Sequence, residues 1–138
     1  MKRYVMDSYA LIAFFEDEPG ADRVAGILKE IISSRTRGYL SIINWGEIYY
    51  SICREQGAET AENVLSQIAQ YPLQLVEADK ALTYEAAKLK AEHRIAYADC
   101  FAAALAQKLS ASVVTGDPEF KKFQDKIAII WITPTGAT

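Results

Sequence analysis

Short apolar runs bounded by turn residues alternate along this chain with stretches whose apolar side chains recur every third or fourth position. Lys2 to Asp7 reads as a short buried strand, with Val5 and Met6 running straight into an acid. Leu11, Ile12, Phe14 and Phe15 mark a first short helix, broken by Glu16-Asp17-Glu18-Pro19-Gly20. Ala21, Val24, Ala25, Leu28, Ile31 and Ile32 fall on one face of a second helix, which Arg35 to Gly38 ends. Tyr39 to Ile43 is a strand candidate, and Ile43 to Glu55 carries Trp45, Ile48, Tyr49 and Ile52 at helical spacing up to a Gln56-Gly57 stop.

Ala61, Val64, Leu65 and Ile68 mark the next helix, closed by Tyr71-Pro72, and Leu73 to Val76 is a brief strand. Leu82, Ala86 and Leu89 stripe a helix from about Asp79 to His93. Asp99 to Leu109 is rich in alanine and nearly apolar all round, which predicts a central helix. Ser112 to Thr115 is a strand ending in a turn, Phe120 to Phe123 a helical turn, and Ile127 to Ile132 a last strand. Strands that alternate with helices and have no wet face predict a parallel sheet covered on both sides, in the α/β class. Such a sheet gathers the carboxyl ends of its strands along one edge, where ligands bind at the switch in strand order.

At 138 residues the chain is expected to form one domain over 1–138, with a core large enough to need neither disulfide nor metal. Apolar residues make up 51% and charged residues 24%, which excludes a disordered chain. The longest apolar runs, such as Ile127 to Ile132, fall far short of the ~20 residues of a membrane helix, so a soluble protein is expected, and two unpaired cysteines make the reducing cytoplasm its default compartment. Cys53 and Cys100 stand singly and read as small buried hydrophobes in a reducing compartment. A single histidine, His93, makes a multi-histidine zinc site impossible. The net charge of −3 gives no general attraction for nucleic acid, which would need a local patch or metal ions.

Four acids stand out. Asp7 falls at the carboxyl end of the first strand, next to a helix beginning at Ser8, where it reads equally as an N-cap. Asp99 opens the most apolar helix, again as a cap or as a buried charge that needs a partner. Asp117 follows Val113-Val114-Thr115-Gly116 and precedes Pro118, a local sequence that capping explains completely. Glu47 lies between Asn44 and Ser51 on the helix of Trp45 and Tyr49, and by itself reads as a solvated surface glutamate. Converging on one pocket, these carboxylates would repel one another, a conflict that a hard divalent cation with oxygen ligands removes. Such a site suits phosphodiester hydrolysis.

Val5-Met6-Asp7-Ser8, Glu47 after Asn44-Trp45-Gly46, Tyr97-Ala98-Asp99 and Thr115-Gly116-Asp117-Pro118-Glu119-Phe120 resemble, in order and spacing, the PIN-domain signature. Within that superfamily the length and layout most resemble VapC-type endoribonucleases. The resemblance implies a three-layer α/β/α fold and RNA cleavage dependent on Mg²⁺ or Mn²⁺. It makes Asp7, Glu47, Asp99 and Asp117 the acidic, metal-binding quartet, with Thr115 and Ser8 as supporting hydroxyls. It also implies a toxin inhibited by a cognate antitoxin, and a homodimer.

Lys2, Arg3, Arg94, Lys121 and Lys122 are candidates for phosphate contacts, and Tyr9, Trp45, Tyr49 and Tyr50 for stacking on bases. Other acidic sites on α/β folds fit less well. Tyr9 stands where a haloacid dehalogenase needs a second Asp, and Ile130-Trp131-Ile132-Thr133-Pro134 lacks the lysine of a receiver domain. No Gly-rich loop follows the first strand. A catalytically silent PIN-like binding module and a non-toxin RNA-processing nuclease remain as alternatives.

Overall fold

A computed structural model describes residues 1–134, and the last four residues of the expected domain, 135–138, lie outside them. The chain runs β1 (Lys2–Met6), α1 (Ser8–Phe15), α2 (Ala21–Ile32), β2 (Thr36–Ser41), α3 (Ile42–Gln56), α4 (Ala58–Ile68) and β3 (Leu73–Val76). It continues through α5 (Lys80–Glu92), α6 (Tyr97–Leu109), β4 (Ser112–Thr115), a 3-10 helix (Pro118–Phe123) and β5 (Ala128–Trp131). All four strand pairings are parallel, in the order β3-β2-β1-β4-β5. From β1 the chain builds outward through β2 to β3, then returns to add β4 and β5 on the other side. The order therefore switches between β1 and β4.

Helices cover both faces of the sheet, giving the α/β/α sandwich that the hydrophobic pattern and the resemblance imply. Successive side chains of β1 go to opposite layers. Val5 joins Leu82, Ala86, Leu89 and the apolar residues of α6, while Tyr4 and Met6 join Leu11, Leu28, Ile48, Val64 and Ile68 from α1 to α4. Helix α6 is buried along most of its length, from Asp99 to Ala106, as expected for an apolar central helix. Asp79 caps α5 by accepting from the Leu82 N–H at 2.8 Å, and Gly57, with φ of 95°, allows α3 to break into α4. No helix among the described residues is long and apolar enough to cross a membrane.

The second strand is the main departure from the sequence pattern. It begins at Thr36, inside the stretch expected only to end α2, because Lys2 to Tyr4 of β1 pair in register with Thr36 to Gly38. It also ends at Ser41 rather than Ile43, because the Ser41 side chain accepts from the Ile43 N–H and starts α3. Gly38 fits there because a Cβ would stand 2.6 Å from Ile31 and 2.7 Å from Leu73.

Candidate active site

The switch between β1 and β4 places the chain immediately after Met6 beside the chain immediately after Thr115. The Asp7 N–H bonds the Val114 carbonyl at 3.3 Å, continuing the ladder for one residue past β1. Asp7 then caps α1, its Oδ1 accepting from the Ala10 N–H at 2.8 Å. The residue is 1% exposed, and its Oδ2 has no hydrogen-bond partner among the described residues. Burial pushes its carboxyl well above the ordinary carboxylate range, to about 8. The Thr115 hydroxyl beside it and the Ala10 N–H favour the charged form, while Asp99 and Asp117 oppose it. The cap is real, but it uses only one of the two oxygens.

Asp117 comes from the turn after β4. Its Oδ1 accepts from the Glu119 N–H at 2.9 Å, capping the 3-10 helix with Pro118 at the first position. Its own N–H donates to Thr115 Oγ1 at 3.0 Å. Fully buried Thr115 thus touches both strand-end acids: it accepts from the backbone of one and lies against the carboxyl of the other.

Asp99 is not a cap. Ala96 occupies that position, and Asp99 sits in the first turn of α6, 7% exposed. Burial raises its carboxyl to about 7, with the charges of Asp117, Glu47 and Glu119 adding to the effect. The helix N-terminus favours a negative charge here, but desolvation and the three neighbouring acids outweigh it.

Glu47 departs most from its local reading. It is half-buried rather than solvated, and Ser8 Oγ donates to its Oε1. Ser8 immediately follows Asp7, so one hydroxyl links the α1 and α3 contributions. The structure therefore brings all four acids and both supporting hydroxyls together at one end of the sheet. These are oxygen donors only, with an unpaired buried carboxylate oxygen among them, a set that suits a hard divalent cation. As the side chains stand, no three Asp, Glu, His or Cys among the described residues form a ready-made metal cage.

Two neighbours were not singled out as site residues by the sequence. Asn44, one helical turn before Glu47 and fully buried, donates from Nδ2 to the Ala98 carbonyl at 3.2 Å and so ties α3 to the residue preceding Asp99. Its Oδ1 is buried without a partner among the described residues. Glu119 adds a fifth carboxylate, exposed at the rim and paired with Lys122 at 2.8 Å. The available signals were the helical spacing of Asn44 from Glu47 and the place of Glu119 two residues after Asp117.

Lys2 and Arg3 are at the wrong edge for phosphates bound at the acids. They begin β1 where Asp7 ends it, and the Arg3 guanidinium donates to the Leu109 carbonyl at 3.1 Å. Lys122 does belong to the acid end, donating to the Arg94 carbonyl as well as pairing with Glu119. Trp45 and Tyr49 pack against the core on the α1–α4 side, and Tyr50 is exposed beneath Arg54. His93 bonds the Leu89 carbonyl through Nδ1 and meets the edge of Phe123, a packing role. Both cysteines are free, Cys100 buried and Cys53 half-buried.

Solved structures share this architecture. The toxin–antitoxin pair VapBC of Salmonella typhimurium, bound to DNA, aligns with a TM-score of 0.77 at 19% identity, over 96% of this chain and 99% of the other. VapBC2 of Rickettsia felis, bound to a promoter DNA fragment, gives 0.75 at 17% identity over 93% and 97%. Mycobacterium tuberculosis VapC20, a toxin that cleaves the sarcin–ricin loop, gives 0.70 at 14% identity over 86% and 93%. At these identities the likeness is one of fold. No curated protein matches the chain in sequence. The PIN-domain family pattern, however, matches residues 4–126, from within the first strand through all four acids and past the 3-10 helix. A family pattern spanning nearly the whole sandwich and the acid cluster at its switch point establishes that this chain belongs to the PIN-domain family.

Proposed function

We propose that the chain is a ribonuclease that hydrolyses RNA phosphodiester bonds with Mg²⁺ or Mn²⁺, and that it acts as the toxin of a toxin–antitoxin pair. The observation that carries the chemistry is Asp7: a buried carboxyl with one oxygen fixed as a helix cap and the other unpaired among further acids. No cationic side chain among the described residues pairs with that oxygen, so a cation is the partner it lacks. Asp7 and Asp99 would hold it directly, with Asp117 and Glu47 contributing directly or through water. A divalent cation there supplies Lewis acidity for water attack and compensates charge developing on the phosphate.

The remaining residues set geometry. Thr115 fixes the Asp117 backbone against the Asp7 carboxyl, Ser8 orients Glu47, and Asn44 holds the start of α6 against α3. With every acid ionised, the pocket repels a phosphodiester, a repulsion that a bound cation, or removal of one of those charges, relieves. The toxin assignment is supported by the toxin–antitoxin complexes among the structural neighbours, and it brings with it a protein antitoxin, a homodimer and a cytoplasmic setting.

The test is cleavage of a labelled single-stranded RNA and of a structured tRNA in Mg²⁺, Mn²⁺ or EDTA, with Asp7→Asn alongside. Cleavage that needs metal and disappears in Asp7→Asn is the expected result. Folded, partner-free protein that leaves both RNAs intact, and is no more toxic on expression than Asp7→Asn, overturns the assignment in favour of a silent PIN-like module. Size-exclusion chromatography of the purified chain tests the dimer.

A further inference from the structure

Tyr9 has no part in the acid cluster, yet it stands at its edge. It follows Asp7 and Ser8 in the first turn of α1 and is 43% exposed, while Asp7 and Ser8 are buried. The Cδ1–Cε1 side of its ring rests on Gly116, the residue between Thr115 and Asp117. A Cβ at Gly116 would lie 2.4 Å from Cε1 and 2.9 Å from Cδ1, closer than any such contact can be. Gly116 has no positive φ that demands glycine, so the close approach of the ring accounts for the missing side chain. Ile132, buried behind the same glycine at 3.0 Å from that hypothetical Cβ, narrows the seat from the other side.

A large aromatic is thus seated on backbone between the turns that bear Asp7 and Asp117, and it still exposes much of its surface. A tyrosine serving only as core filler would be buried, and one serving only as surface would need no glycine cut away beneath it. We propose that Tyr9 is a stacking platform for a nucleobase next to the scissile phosphate, with Gly116 as its seat. This rests on the ribonuclease reading and adds to it a substrate-contact residue and a substrate state. The nucleotide bound there is unpaired, because only an unstacked base offers its face to an aromatic ring. Stacking tolerates every base, so the platform selects single-stranded RNA and not a sequence.

The experiment measures binding in the Asp7→Asn background, so that cleavage does not consume the probe. The probes are a short fluorescein-labelled single-stranded RNA and an abasic ribose-phosphate oligomer of equal length. Adding Tyr9→Ala is expected to weaken binding of the RNA roughly 5- to 100-fold and to leave the abasic oligomer within about two-fold. Tyr9→Phe keeps both affinities, and Gly116→Ala, which displaces the ring, weakens RNA binding selectively. Equal loss on both probes, or no loss on either, overturns the platform, as does a Tyr9-containing protein that binds neither probe. Selective loss on RNA while the protein with Asp7 restored cleaves nothing would retain the platform and overturn the nuclease, so the two failures are distinguishable. Thermal melting of each variant confirms that it is folded.

Discussion

Replacing Asp7 by Asn is expected to abolish RNA cleavage and, at the same time, to make the metal-free protein more stable. The substitution keeps the oxygen that accepts from Ala10 N–H, so the helix cap survives. It replaces the unpaired Oδ2 with an amide that donates towards the neighbouring carboxylates, and it removes a charge from a fully buried position. A buried polar group without a partner costs about 1–3 kcal/mol, and more when charged, so relief of at least that size is expected about pH 8. For a chain of this length roughly 3–5 °C in Tm corresponds to each kcal/mol. The pH dependence follows from the carboxyl held at about 8 in the folded chain against an ordinary value of 3.8. Between those values the folded chain binds more protons than the unfolded one, so stability falls as pH rises, by up to about 1.4 kcal/mol per pH unit. Asp99, raised to about 7, steepens the same window. Thermal and urea unfolding in EDTA at several pH values would show the metal-free protein weakening from about pH 5 to pH 8. Asp7→Asn should weaken less and Asp7→Ala, which also loses the cap, should gain less than Asn. Mg²⁺ should restore the unsubstituted protein and leave Asp7→Asn unmoved. A flat pH profile in EDTA, or an Asp7→Asn variant no more stable than its parent at about pH 8, would refute the reasoning.

Two further substitutions probe the surroundings of the acids. Ser8→Ala removes the donor to Glu47 and is expected to lower Mn²⁺ affinity, read by calorimetry, roughly 10- to 100-fold with little change in Tm. Unchanged affinity would mean that Glu47 needs no orienting. Gly20→Ala places a methyl at φ of 98° and 2.7 Å from Ile132, and should destabilise by more than the roughly 1–2 kcal/mol of the backbone strain alone, measured by urea unfolding. A neutral result would show that Ile132 moves freely.

Much of this fold was legible because each strand and helix carries its own pattern. Leu73–Val76, Ser112–Thr115 and Ala21–Ile32 lie where their apolar spacing places them. The start of β2 was not, because Thr36 to Gly38 are held by backbone pairing with β1, which leaves no trace in side-chain polarity. The acids divide in the same way. Asp7 and Asp117 announce themselves as strand-end residues that begin a helix. Glu47 looks like a surface residue until Ser8, far away in sequence, is brought beside it. Asp99 was expected either to cap or to need a partner; Ala96 takes the cap position, and burial with neighbouring charge defines the environment of Asp99. Lys2 and Arg3 show the cost of weighing charges without strand direction: a parallel sheet has two ends, and theirs is the other one.

The pairing of β1 with β4, which joins Tyr4 to Ser112 and Met6 to Val114, has a kinetic consequence. Asp7 meets Asp117 only after that long loop closes, and long-range parallel pairing is among the slower events of folding. Partly folded chains with only the α1–α4 layer formed would lack α6 and the β4 turn, and with them Asp99 and Asp117, half of the acidic quartet. In refolding from urea, nuclease activity should thus return with the slowest phase of sheet formation and never ahead of it. The site reports completion of the whole sandwich, so on the ribonuclease reading proposed above a chain caught midway leaves RNA intact.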